Sequence, residues 1–371
     1  MRILVWQWGR LGAGPRIAAD YVTAFNAVPG VTALLSLSSH SELMRSANPP
    51  ACAIPVRTYQ DVAGYLACVA AAPILVRRIG DALRTLAPDF ALCAMPGPLD
   101  LAMQFALQRA GIPAAIIVHD ADAHPGDGYP LQMMLQRLLV RRADAVVTLS
   151  DHVTERLGTQ GLLAGKTLIR AMLPQPPLGE LPPPLGHGGP FRLLSFGRLL
   201  AYKGLDLLAG ALARVQPDTT MVVRVVGQGP ESPELAALRC IPRVTVENRW
   251  VPEDEIPALL GWADGVVLSH REASQSGVAA TALAARRFVV ATRVGGLAEQ
   301  VAGDPAAILC DVSVDGLTRG LRTMLAAQWP DAVTVRNQWQ AENLVASLRK
   351  IGKPASASVG IAADKSVEHS V

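Results

Sequence analysis

The chain is short of the residues that mark several protein classes. Aromatic residues make up only 5% of its 371 positions and charged residues 18%. Few aromatics leave no ring ladder for stacking on single-stranded nucleic acid. A formal net charge of +3 supplies no strong polyanion-binding surface. The five cysteines, Cys52, Cys68, Cys93, Cys240 and Cys310, are odd in number and far apart. That spacing excludes a disulfide framework and a zinc cluster, and they read as reduced core residues of a cytosolic protein. The longest apolar run, Val62 to Val76, is interrupted by Pro73 and is too short to cross a bilayer. The start, Met1-Arg2-Ile3-Leu4-Val5, enters a strand-like run with no small-residue cleavage site, so no secretory leader is expected.

Half of the residues are hydrophobic, enough for a full core, and 32 glycines and 28 prolines supply many turns. Strand-like and helix-like runs alternate, which predicts parallel sheets covered by helices. Expected strands in the first half are Ile3–Trp8, Val31–Leu37, Ala53–Thr58, Phe90–Ala94, Ala114–Val118 and Ala145–Leu149. Asp61–Leu86 is expected to be helical with a kink at Pro73. The Pro/Gly-rich segment 176–190 reads as a linker, because such composition sustains neither helix nor sheet. A second βα series follows it. The expected division is a first Rossmann-like domain over 1–175, a second over 191–329, a helix over 330–353 and a disordered tail over 354–371.

One stretch organises the second half, His270 to Glu299. A polar loop, Glu272 to Gly277, runs into the small-residue segment Val278–Ala285, then the buried-strand pattern Phe288–Thr292, then Gly295-Gly296 as a turn. A helix beginning at Ser276-Gly277 offers free N–H groups and a positive dipole end, which together bind phosphate. Glu272 or Gln275 would take sugar hydroxyls. Arg198 and Lys203 both follow a strand, and two cations there can neutralise a diphosphate. Each feature alone has a plainer reading: a Ser-capped helix without ligand, or a solvated pair of charges. His119-Asp120 ends a strand, and Gly12 and Gly14 lie in the first glycine-rich turn. His124 reads as a loop residue, and Asp120 and Glu299 equally as caps or surface groups. Arg137, Arg141 and Arg142 form a basic helix face, solvated or set against anionic lipid. Ligands of open α/β sheets sit at the carboxyl ends of the strands, where all these loops fall.

In this order, Phe196-Gly197-Arg198…Lys203-Gly204-Leu205-Asp206, Val225–Pro230, Ala263-Asp264 with Val266–Ser269, and Val289–Thr292 with Val294–Leu297 and Glu299 resemble the family 4 glycosyltransferases. Gly12 and Gly14, and Val118-His119-Asp120, are similar to that family's glycine loop and mid-chain histidine. The resemblance is dense from Phe191 to Glu299 and sparser before. It implies a GT-B fold, retention of anomeric configuration, a nucleotide-diphosphate sugar donor and no bound metal. Residue by residue, it assigns Arg198 and Lys203 to the diphosphate and His119 to the transferred sugar. Ser276 and Gly277 would donate backbone N–H groups, and Gly12 and Gly14 would admit acceptor or phosphate. One departure is plain. The family's paired glutamates, eight residues apart, align with Ala273 and Thr281, while Glu272 stands one residue early. The form Glu-Ala-Ser-Gln-Ser-Gly resembles a subgroup associated with exopolysaccharide assembly. The expectation is a cytoplasmic enzyme, peripheral at the membrane face. It would pass a sugar to a glycan or lipid-linked oligosaccharide, with no nucleic-acid partner. A nucleotide-sugar epimerase and an inactive nucleotide-sugar-binding subunit stand as the alternatives.

Overall fold

The computed structural model describes residues 1–123, 131–176, 178–328 and 337–352. His124 and the expected tail 354–371 lie outside them. Two six-stranded parallel sheets carry the chain. The first uses β1 (Arg2–Gln7), β2 (Thr32–Leu37), β3 (Phe90–Cys93), β4 (Ala114–Val118), β5 (Ala145–Thr148) and β6 (Thr167–Arg170). Its order is β2-β1-β3-β4-β5-β6. The second uses β7 (Arg192–Phe196), β8 (Val222–Gly227), β9 (Val244–Asn248), β10 (Gly265–Leu268), β11 (Phe288–Thr292) and β12 (Ala307–Cys310), in the order β12-β11-β10-β7-β8-β9. The central strands are apolar on both faces, as helix-covered parallel strands must be; β3, β4, β5, β10 and β11 are buried throughout.

Around the first sheet lie α1 (Ala13–Asn26), α2 (Val62–Ala70), α3 (Ala72–Leu86), α4 (Asp100–Ala110), α5 (Gln132–Arg142) and α6 (Asp151–Thr159). Around the second lie α7 (Leu205–Val215), α8 (Pro233–Arg239), α9 (Ile256–Trp262), α10 (Gly277–Ala284), α11 (Gly295–Val301) and α12 (Val314–Ala326). The last described helix, α13 (Asn337–Gly352), returns to the first domain. Its Ala341, Leu344, Val345 and Leu348 are buried in the same cluster as Ile3, Val5, Phe25 and Leu35.

Three expectations are corrected. Ala53–Thr58 is not a regular strand: it runs beside β2 but pairs through one parallel bridge, Ser38 to Val56, because the successive N–H groups of Ala53 and Ile54 both go to the Leu35 carbonyl and break the alternation of a ladder. The kink expected at Pro73 is a full break nearby: α2 and α3 meet at Ala71 with their axes 68° apart. Pro73 then falls in the first turn of α3, where its missing N–H costs nothing. Gly295-Gly296 does not merely turn the chain but opens α11. The strand β6 was not foreseen. It is an edge strand with only Ile169 buried, so it lacks the apolar run that marks the others.

The Pro/Gly-rich connection is fastened to the second domain. Asp264 is buried, and its carboxylate accepts the N–H groups of Leu185 at 2.6 Å and Arg192 at 2.8 Å. The buried Arg287 donates to the Pro182 carbonyl at 2.6 Å. Leu178 and Leu181 pack against the α9–α10 side of that domain.

Candidate active site

In each sheet the strand order reverses beside one strand, β1 in the first and β7 in the second, and the crevice at such a point is where α/β sheets take ligands. The two crevices face each other across a cleft of about 590 Å³. Its walls hold Gly12, Gly14 and His119 from the first domain and Arg198, Lys203, Gln275, Ser276, Gly277 and Thr281 from the second. The residues assigned to the donor and the transferred sugar therefore converge, with one exception. Glu272 is exposed and stands outside the cleft lining, because the loop turns Ala273 inward instead.

Glycines let the loops on the second domain close in. A Cβ on Gly227 would lie 1.7 Å from the Gly197 carbonyl oxygen, and one on Gly229 2.1 Å from that of Leu199. A Cβ on Gly204 would lie 2.0 Å from the Ser269 carbonyl oxygen. Bare backbone at these points seats the Arg198–Lys203 loop on β8 and β10. A Cβ on Gly197 would reach Val278 at 3.4 Å, so this loop abuts the first turn of α10.

The start of α10 is open. Ser276 caps it, accepting the Ala279 N–H at 3.2 Å. Gln300 grips the Ser276 backbone from both sides, taking its N–H at 2.9 Å and donating to its carbonyl at 2.9 Å. The Ser276 N–H expected to reach a ligand is thus already engaged. The N–H groups that lead the helix into the cleft are those of Gly277 and Val278, and Gly277 is exposed. Thr281, which stands where a glutamate was expected, lines the cleft but donates its hydroxyl to the Gly277 carbonyl at 2.7 Å.

The two cations differ. Arg198 is exposed and donates to the Tyr202 hydroxyl at 3.1 Å. Lys203 is recessed, with its ammonium 5.0 Å from the Tyr202 ring centre and donating to His270 Nε2 at 2.7 Å. Burial, reinforced by the Arg198 charge and opposed by Asp120, pulls its pKa down to about 7.

His119 is buried, and both ring nitrogens are used. Nε2–H donates to the Ala94 carbonyl at 2.6 Å, and Nδ1 accepts from the Gln275 amide across the cleft. Burial lowers its pKa, consistent with the neutral ring this pattern requires. Gln275 Oε1 is left buried without a bond.

The sequence reading missed Arg16, Asp20 and Glu253. Arg16 and Asp20 share a face of α1 at four-residue spacing, and Arg16 Nη1 pairs with Glu253 of the opposite domain at 2.6 Å. Burial raises the Asp20 pKa to about 6, against the pull of Arg16. The spacing was visible in the sequence, but the partner lies 237 residues away. Glu299 resolves its ambiguity as a cap: its carboxylate accepts the N–H groups of Asp151 at 2.6 Å and His152 at 3.0 Å, so α11 closes the start of α6 in the other domain.

Two doubly wound sheets facing across a ligand-sized cleft define the GT-B architecture. Solved structures agree. The chain superposes on Anabaena Alr3699/HepE in complex with UDP-glucose with a TM-score of 0.65 at 18% identity, covering 95% of this chain and 98% of that one. It superposes on the UDP-GlcNAc 2-epimerase of Methanocaldococcus jannaschii with a TM-score of 0.60 at 12% identity, covering 94% and 100%. Such low identities establish the fold alone. The sequence carries the class further: residues 28–170 match the glycosyl transferase 4-like domain and residues 190–327 the glycosyl transferases group 1 family. By its domains the chain is of glycosyltransferase type. Among curated proteins, it is 29% identical over 233 residues to a Mycobacterium tuberculosis glycogen synthase, covering 58% of this chain and 55% of that protein. The match thus spans about half the length of that relative.

Proposed function

We propose that the protein is a retaining glycosyltransferase of family 4 that moves a sugar from a UDP- or GDP-sugar to a glycan or lipid-linked glycan. Its place is the cytoplasmic side of the membrane, in cell-surface polysaccharide synthesis. One observation carries the reading: Arg198, Lys203 and the open start of α10 meet at one wall of the cleft. Two cations and a helix N-terminus there stabilise a diphosphate, and do so most as it gains charge on leaving. They take the part that a divalent cation would otherwise play. The bond from the sugar C1 to the β-phosphate oxygen breaks, and a bond from C1 to the acceptor hydroxyl oxygen forms on the same face. The acceptor proton passes to the departing phosphate oxygen. Gln275 and His119 flank the sugar position opposite the diphosphate. The HepE structures holding UDP and UDP-glucose support the donor class.

A thermal-shift panel of nucleoside diphosphates and nucleotide sugars tests the donor, because a ligand that binds only the folded state raises the midpoint. UDP or GDP is expected to do so, and Arg198→Ala or Lys203→Ala to erase the effect. A panel with no shift from any nucleotide ends the proposal. The likeness to an epimerase of the same fold keeps one second reading alive. Conversion of free nucleotide sugar with no acceptor present would establish that reading instead.

A further inference from the structure

Most of the large apolar side chains left exposed among the described residues lie on one layer of the first domain. On α2, Val62 is 76% exposed, Leu66 62% and Val69 47%, and Ile74 follows at 59% in α3. No residue of α2 is buried. The helix is apolar all round yet faces solvent, the reverse of what a core element shows. α3 packs on α4 and α4 on α5, and both outer helices add to the surface. Phe105 stands out from α4 beneath the Arg142 guanidinium, 4.6 Å from its ring centre. Met134 and Leu138 project from α5.

The charge on this layer is mostly basic; Asp61 and Asp144, exposed at the ends of α2 and α5, accept the N–H groups of Gly64 and Ala114. No acidic residue occurs between Val62 and Gly80, and none in α5. The acid of α4, Asp100, is buried, and that of α3, Asp81, is paired with Arg84. Arg77, Arg78, Arg109, Arg137, Arg141 and Arg142 are exposed around the apolar surface. A second copy of this chain would set these guanidinium groups against one another. A surface of anionic headgroups over acyl chains takes both the arginines and the apolar side chains. No single described helix is long and apolar enough to cross such a layer; α2 and α3 together have the length and composition of a span but are bent apart by 68°, which lays their exposed apolar side chains along a surface.

We propose that this helical face, centred on α2, docks in the plane of an anionic lipid surface. Asp61 caps α2, and two residues before it Tyr59 lies under Arg10, next to Leu11 at the cleft wall. The docked face therefore meets the mouth of the cleft. That a lipid-linked acceptor enters there rests on the glycosyltransferase reading; the docking itself does not.

Flotation of the full chain with phosphatidylglycerol–phosphatidylethanolamine vesicles, and separately with phosphatidylcholine vesicles, tests it. Binding is expected to the anionic vesicles only and to weaken with salt. Leu66→Asp is expected to cut the bound fraction about tenfold. Val312→Asp, at an exposed apolar site on the second domain, is expected to leave it unchanged. Failure of the wild type to float at low salt, equal binding to phosphatidylcholine, or unimpaired Leu66→Asp overturns the proposal. A lipid-free dimer that Leu66→Asp dissolves overturns it in favour of a second copy. The nucleotide thermal shift, run on the same samples, keeps the two ideas apart. Flotation without any nucleotide shift sustains the docking face while ending the donor assignment.

Discussion

Lys203 is the residue whose chemistry is most exposed to test. Its folded pKa of about 7 lies below the ordinary lysine value of 10.5, so the unfolded chain holds this proton more firmly. The burial cost is complete below pH 7 and fades as pH rises from 7 towards 10.5, so this group's contribution to stability improves over that window. A bound diphosphate favours the charged ammonium. Above pH 7, binding therefore takes up a proton, and nucleotide affinity is expected to fall by up to about tenfold per pH unit. Calorimetry at pH 8 in buffers of different ionisation enthalpy reads that uptake directly. Lys203→Arg, always charged, should remove the uptake even where it retains binding. His119→Ala is expected to lower kcat by roughly 10²-fold or more while leaving the UDP or GDP midpoint shift intact, since its contacts are with Gln275 and Ala94 rather than the phosphate wall. Equal loss of nucleotide binding would contradict that division. Of these residues, the types and their loops were legible in the sequence. What was hidden was how each atom is spent: that Ser276 gives its N–H to Gln300, that Thr281 bonds its own helix, and that Glu272 points away. Such facts depend on neighbours far along the chain, which no local pattern carries.

At the scale of the element, α10 and its flanking loops behave as one unit. Ser276→Ala removes the cap and is expected to cost about 1 kcal/mol, read as a lowered denaturation midpoint. Gly227→Ala should do far more. Its methyl would overlap the Gly197 carbonyl, displace the Arg198 loop and abolish nucleotide binding. Gly12→Ala meets nothing within 4 Å but must hold a φ of 80°, so a loss of about 1 kcal/mol without loss of binding is expected. Elements buried on both faces were readable because their apolar runs are unbroken, as in Phe288–Thr292 and Ala114–Val118. β6 was not readable, because only one of its residues is covered, and Ala53–Thr58 looked like a strand, yet Ala53 and Ile54 both spend their N–H groups on the Leu35 carbonyl and leave it one bridge. The destination of α13 was equally hidden. Its Leu344 and Leu348 announce a buried face without saying whose.

Across the whole molecule, the cleft is held by a few polar contacts between domains. Glu299 caps α6, Arg16 meets Glu253, and Gln275 meets His119. Glu299→Ala also removes the ion pair to Arg170 and leaves Arg170 to Asp151 of its own domain, and the radius of gyration by small-angle scattering is expected to rise without nucleotide and to return when nucleotide binds. An unchanged value would assign that contact to helix capping alone.

Helix α13 sets the timetable of synthesis. The groove on the first domain that it fills is formed from segments ending at Arg170, yet the filler begins only at Asn337. At the pace of a ribosome, roughly ten seconds or longer separate the two. During that interval the half-built domain presents a greasy trough to solvent, a natural client for a chaperone, while the second domain can fold at once. Messages cut before codon 337 should accordingly yield a first domain that aggregates, even though every strand of its sheet has been made.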